Sequence, residues 1–214
     1  MIKAAAAVAW LVVSTLFPTP LHLVRRIDDP ISKTTTVLDE FCYGDKIVSV
    51  SGKRVAITDY ATQTLIEIDH AAVTYSLTRF DEIARARPLV KTGDGESMNV
   101  VVDRSVTLSR DAVEAIVGAA YPNRLDSRHE KILAAAAPIA TGRIATESIP
   151  AYGLPTDTSI FFEDGLAYRN VIVKIDHDIP PASVMLIDPG ATRVESRLTR
   201  AARELQQLDK PPKR

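Results

Sequence analysis

Two aspartate–histidine units, Ile68-Asp69-His70 and Ile175-Asp176-His177-Asp178, are the residues whose types and spacing suit chemistry. Imidazole beside carboxylate makes an acid/base pair, and two such units converging from different strands would offer enough ligands for a metal ion. A metal-dependent hydrolase is the activity that arrangement would serve. Neighbouring residues of a strand point to opposite faces, however, so Asp and His of one unit reach one ion only if a turn intervenes. Both units fall at the ends of strand-like segments, and solvated turn residues are the expectation for His70 and His177. His22 and His129 stand alone and are expected to be structural.

Other motifs exclude more than they suggest. No G-x-S-x-G elbow, P-loop, G-x-G-x-x-G or H-E-x-x-H occurs, so no catalytic residue, metal or cofactor is assigned. Gly93-Asp94-Gly95-Glu96 lacks the remaining ligands of a calcium loop and reads as a connection. Asp157-Thr158-Ser159 carries Ser where an aspartic-protease loop turns on Gly. Cys42 is the single cysteine; it permits no internal disulfide or CxxC pair, and between Phe41 and Tyr43 it reads as a buried apolar side chain. Arg193, Arg197, Arg200 and Arg203 recur at helical spacing with Glu195 and Glu204 among them, the pattern of a solvated face.

The elements that must position these residues begin with an export-like segment. Lys3 is followed by Ala4 to Phe17 without a charge, a run shorter than the ~20 residues of a spanning helix, and Pro18 and Pro20 interrupt it. Residues 1–24 are expected to be a cleaved signal peptide or an N-terminal anchor, placing the protein in the periplasm or cell envelope. No A-x-A site follows Phe17, and Arg25 and Arg26 would resist translocation of an anchored segment. The other 190 or so of the 214 residues fit one domain. Hydrophobic residues make up 46% and charged residues 25%, as in a folded globular protein. The 26 basic and 27 acidic residues nearly cancel, so there is no basic field to attract nucleic acid.

Thr34–Tyr43, Lys46–Val50, Arg54–Asp59, Gln63–Asp69 and Ala72–Leu77 read as an antiparallel meander, since parallel strands would need crossovers of a dozen residues. Thr78 is placed as the cap of a helix through Arg87. A possible strand at Asn99–Val102 precedes two helices, one capped by Ser109 and one opening at Ser127-Arg128-His129-Glu130, which form an Ala-rich hairpin over about 109–138. Strands return at Gly142–Ser148, Thr158–Glu163, Tyr168–Ile175 and Ser183–Ile187, with Asp164-Gly165 the strongest hairpin signal. Residues 193–214 are expected to be an amphipathic helix and a frayed tail. The fold class is α+β: a curved antiparallel sheet with a helical-hairpin insertion and a C-terminal helix.

Tyr43-Gly44-Asp45-Lys46, Ile57-Thr58-Asp59, Thr64 to Asp69 and Val73-Thr74-Tyr75-Ser76, leading into Phe80-Asp81-Glu82, resemble envelope proteins related to the LolA/LolB lipoprotein carriers. Gly153-Leu154-Pro155, the Asp164-Gly165 hairpin, Val171 to Ile175 and Ile179-Pro180-Pro181-Ala182-Ser183-Val184 to Asp188-Pro189-Gly190 resemble that group's closing hairpins. The likeness covers residues 40–85 and 150–192, about half of the chain. It implies a half-open barrel over residues 25–192 with helices lidding an apolar hollow, and a non-catalytic role binding a lipid or lipidated protein. The 12 aromatics, one Trp, six Tyr and five Phe, leave few large side chains to fill such a hollow. Its lining is expected from Ile57, Leu65, Ile66, Ile68, Val73, Ile160, Phe162, Val171, Val173 and Val184. A one-residue register slip exchanges the faces of a strand, so which members point inward stays open at this level. A periplasmic protein-interaction or sensor module, docking through the Ala-rich hairpin, is the alternative.

Overall fold

A computed structural model describes residues 15–86, 97–118, 127–138, 151–162, 165–197 and 199–200. Its loops show how the strands are set. Asp-x-x-x-x-Thr occurs at 29–34, 59–64 and 69–74, each time as a turn between paired strand ends. Asp29 accepts from the backbone N–H of Ile31 and Ser32, Asp59 from Thr62, and Asp69 from Ala71 and Ala72, all at 3.0 Å. An aspartate that ties down the backbone two and three residues on starts a tight turn. The residue before each Thr then takes a left-handed conformation, at φ 55° for Lys33, 53° for Gln63 and 51° for Val73. The shorter turns Gly44-Asp45 and Gly52-Lys53 put glycine at φ 55° and 58°, where a Cβ would be strained.

These five turns join β1 (Phe17–Asp29), β2 (Thr34–Gly44), β3 (Lys46–Ser51), β4 (Arg54–Asp59), β5 (Thr64–Asp69) and β6 (Thr74–Arg79) into an antiparallel meander. Then come α1 (Phe80–Ala86), β7 (Ser97–Leu108), α2 (Arg110–Val117), α3 (Ser127–Ala136), β8 (Tyr152–Phe162), β9 (Gly165–Asp176), a 3₁₀ turn (Ala182–Met185) and β10 (Thr192–Arg193). The fold is α+β, built on one curved, unclosed sheet in the order β10-β6-β5-β4-β3-β2-β1-β9-β8-β7. All pairings are antiparallel except β10 with β6, so the sheet is mixed. Register breaks interrupt β1, β7 and the β8–β9 pair, and such bulges bend a sheet.

Several expectations change. Phe17 to Val24, assigned from sequence to the export segment, form the first part of β1, which lies in the interior of the sheet between β2 and β9. Pro18 and Pro20 sit where the β1–β2 register slips between Phe17 and Leu21, the place in a ladder where a missing N–H is tolerated. Residues 1–14 lie outside the described residues. Thr78 is a buried β6 residue, and the backbone N–H ahead of α1 is capped from within, Arg79 donating to Glu82 Oε2 at 3.5 Å. Ser183–Ile187 is no strand: Pro180 and Pro181 cannot donate to a ladder, and Ala182–Met185 closes a 3₁₀ turn. Arg193 lies in β10 rather than at a helix start, with Thr192 N–H donating to Val73 O and Val194 N–H to Tyr75 O. The Ser109 cap is as read, its hydroxyl accepting from Ala112 N–H at 3.1 Å. The Gly93 to Glu96 loop, the Gly142–Ser148 strand and the helix beyond residue 200 lie outside the described residues.

Period two divides the sheet into two differently covered faces. On one, Leu21, Leu23, Cys42 and Ile47 pack with Phe17, Leu154 and Ala112, Ala115 and Ile116 of α2. Alanine lets α2 approach closely, and Val113 on its other side meets Leu133 and Ala136 of α3. Phe80 and Ile83 of α1 close the same face over Leu65. On the opposite face Phe41, Val48, Val55, Ile57 and Ile68 form a second core beneath Val184 and Met185. Tyr43 donates to Met185 Sδ at 3.1 Å and His70 Nε2 lies 3.0 Å from Val184 O, which tethers that cover.

Candidate functional site

The ten residues expected to line one hollow are spread over both faces. Ile57, Ile66, Ile68 and Val184 belong to the core under the 3₁₀ turn, whereas Leu65 packs under α1 on the other side. Val73 occupies a turn and is 42% exposed; Phe162 and Val173 are exposed at 45% and 53%, and Val171 is half-buried. Ile160 is the member that lines the cavity beneath α2 and α3. Alternation alone could not sort them, because neighbours such as Leu65 and Ile66 are both apolar and face opposite ways.

The aspartate–histidine units do not come together as pairs. His70 holds the 3₁₀ turn, Asp69 its own turn and Arg54, and His177 Nδ1 approaches Pro20 O at 2.7 Å. Asp176 instead meets His22, the histidine read as isolated. His22 is 8% exposed, stacks on Phe41 with ring centroids 4.1 Å apart, and places Nδ1 2.8 Å from Asp176 and Nε2 2.8 Å from Asp39. It thereby braces β9, β1 and β2. The Lys174 ammonium, 2.6 Å from Asp176, holds that carboxyl down at about 2. Ligand atoms of His22, Asp176 and Asp178 lie within 4.8 Å of one another, yet both ring nitrogens of His22 already face carboxylates. Cys42 is fully buried, and burial pushes its thiol well above the ordinary value, as befits a packing residue.

The site with both shape and unspent chemistry lies between the sheet and the helices. Its cavity of about 260 Å³ takes Met98, Pro155 and Ile160 from β7 and β8, and Ile116, Val117 and Ile132 from α2 and α3. Arg25, Thr158, Tyr168, Asn170, Arg128 and His129 add polar groups. Arg25 follows Leu21 and Leu23 at period two, which aims it at the helix-covered face. Its Nε donates to Glu40 Oε2 at 2.5 Å, and Ser49, opposite Glu40 on β3, lies 3.5 Å from the other carboxylate oxygen. Nη1 lies 3.5 Å from Asn170 Oδ1, and Nη2 is buried without a hydrogen-bond partner among the described residues. Burial pushes the Tyr168 phenol up from its ordinary value, so it stays a donor at neutral pH. Such an arrangement can sequester an apolar group and fix a polar one beside it.

Sequence reading missed Arg25, Glu40 and Asn170. Their signal was present: a charge inside Leu21-x-Leu23-x-Arg25-x-Ile27, and another inside Leu38-x-Glu40-x-Cys42, each falling on the apolar phase of a strand.

No protein-family model matches the chain, and no curated protein does. Among solved structures, the chain is similar to that of an uncharacterised conserved protein from Thermus thermophilus, at 8% identity and a TM-score of 0.41 over 83% of this chain and 91% of that one.

Proposed function

We propose that this protein is a non-catalytic binding protein of the cell envelope that holds the apolar part of a small amphiphile, or of a lipidated protein, between its sheet and α2 and α3. The observation that carries this reading is the cavity of about 260 Å³ with six apolar walls. Its size is just below the ~300–1,000 Å³ of small-molecule sites, and apolar and polar side chains contribute equally to its described lining. The curved, unclosed sheet and its helical cover are consistent with a half-open barrel of the LolA/LolB kind, α2 and α3 serving as the lid. The uncharged run after Lys3 supports export to the periplasm.

The purified protein should bind the neutral dye phenylnaphthylamine with micromolar affinity, and gentle extraction followed by native mass spectrometry should show a noncovalent adduct. Thr158→Phe, which fills the cavity from β8, should abolish both. A folded, monodisperse protein that takes up no dye and carries no adduct refutes the reading.

A further inference from the structure

We infer that the cavity selects amphiphiles with an anionic oxyacid head, a carboxylate or phosphate monoester, bound by the guanidinium of Arg25, one of the residues that line it. This rests on the reading of the cavity as a binding site and names the class of ligand.

A guanidinium has five N–H donors in a planar fork. In Arg25 the Nε side is closed by Glu40, while among the described residues Nη1 has the long contact to Asn170 and Nη2 has no partner. The side chain is 9% exposed, so water does not serve those protons freely. A buried charged donor left unmade is costly, and the fork of Nη1 and Nη2 matches two oxygens of a carboxylate or phosphate. Arg128 and His129, in the first turn of α3, and the phenol of Tyr168 line the same cavity, and none of the described residues lining it is acidic. Glu40 holds Arg25 from outside that lining, so it orients the guanidinium without occupying the ligand's place. The apolar walls then take the ligand's chain. A neutral lipid would leave the Arg25 fork unpaired, and a small inorganic anion would leave the apolar walls unused.

The test is competition against bound phenylnaphthylamine by dodecanoate, dodecyl phosphate and dodecanol, with the unmodified protein and with the double variant Arg25→Met, Glu40→Met. The double variant removes both charges and leaves neither one buried alone. The unmodified protein should prefer dodecanoate or dodecyl phosphate over dodecanol by about tenfold to a hundredfold, the range for a charge-assisted hydrogen bond. The double variant should lose that preference; Arg25→Lys, a point charge without the fork, should lose most of it. The tighter of the two anions identifies the head group. Equal affinity for dodecanol and both anions in the unmodified protein overturns the inference while leaving amphiphile binding intact, as does a preference that survives in the double variant. Absence of binding by dye and all three amphiphiles overturns both.

Discussion

Removing one partner of the Arg25–Glu40 pair should cost far more than removing both. The two side chains are 9% and 6% exposed and meet at 2.5 Å. In Arg25→Met the Glu40 carboxylate keeps, among the described residues, the Ser49 hydroxyl at 3.5 Å, and an uncompensated buried charge costs about 3–5 kcal/mol. Glu40→Met should cost a similar amount by stranding the guanidinium beside an already unpartnered Nη2. Added independently, the two losses would reach ~6–10 kcal/mol, comparable with the whole stability of a domain. The double variant replaces the pair with apolar side chains of similar length, a change that is often neutral, and should lose no more than about 2 kcal/mol. The coupling is thus at least ~4 kcal/mol, well beyond the ~0.3–0.5 kcal/mol within which independent sites add. Urea unfolding at constant slope measures it: with a slope of about 2 kcal/mol/M, each single variant shifts the midpoint down by roughly 2 M. Single variants that each lose under about 1 kcal/mol, or a double variant equal to their sum, would refute the picture of a desolvated ion pair.

Val73 holds a left-handed conformation at φ 51° and is 42% exposed; Val73→Asn should raise stability by about 0.5–1 kcal/mol in urea unfolding, because Asn tolerates that region and a β-branched residue does not. The Arg169 guanidinium, 2.5 Å from Asp157, holds that carboxyl below its usual range. The pair's contribution is therefore complete above an unfolded value of about 4 and is lost as pH falls through the lower folded value. The melting-temperature gap between the unmodified protein and Arg169→Met should stay constant from neutral pH to about pH 5 and close in stronger acid; a gap that widens there contradicts the assignment. If the amino terminus is removed on export, the mature chain should begin no later than Leu16, since Phe17 is 2% exposed and Leu16 N–H donates to Asp45 at 2.9 Å. Intact mass gives the boundary, and cleavage beyond Phe17 in a folded product is the contrary result. Val12→Asp should block delivery, a central carboxylate costing such a segment on the order of 3 kcal/mol.

Local order was legible where one stretch of chain specifies it. Strands β2 to β5, the turn at Gly52 and the Ser109 cap follow from alternation, from glycine's access to positive φ and from a hydroxyl placed before an apolar period. Cys42 is buried, as its apolar neighbours indicate. The Asp-x-x-x-x-Thr turns were also local, though their code shows only when three copies are compared in space. What the chain alone left undecided depends on partners far away in sequence. β1 looked like the end of an apolar export segment until β9, about 150 residues on, paired with it. Two prolines disguise it as a break, and only the ladder reveals that they sit at a register slip. His22 gained its role from Asp39 and Asp176, 17 and 154 residues away. The cavity depends on the same long-range choice. Apolar neighbours such as Leu65 and Ile66 carry no mark of which face the helices cover, so the expected lining scattered. Arg25 did carry a mark, a charge on the apolar phase of a strand, but whether such a charge meets water, a carboxylate or an empty space is set by the packing of β2, β9 and α3 around it.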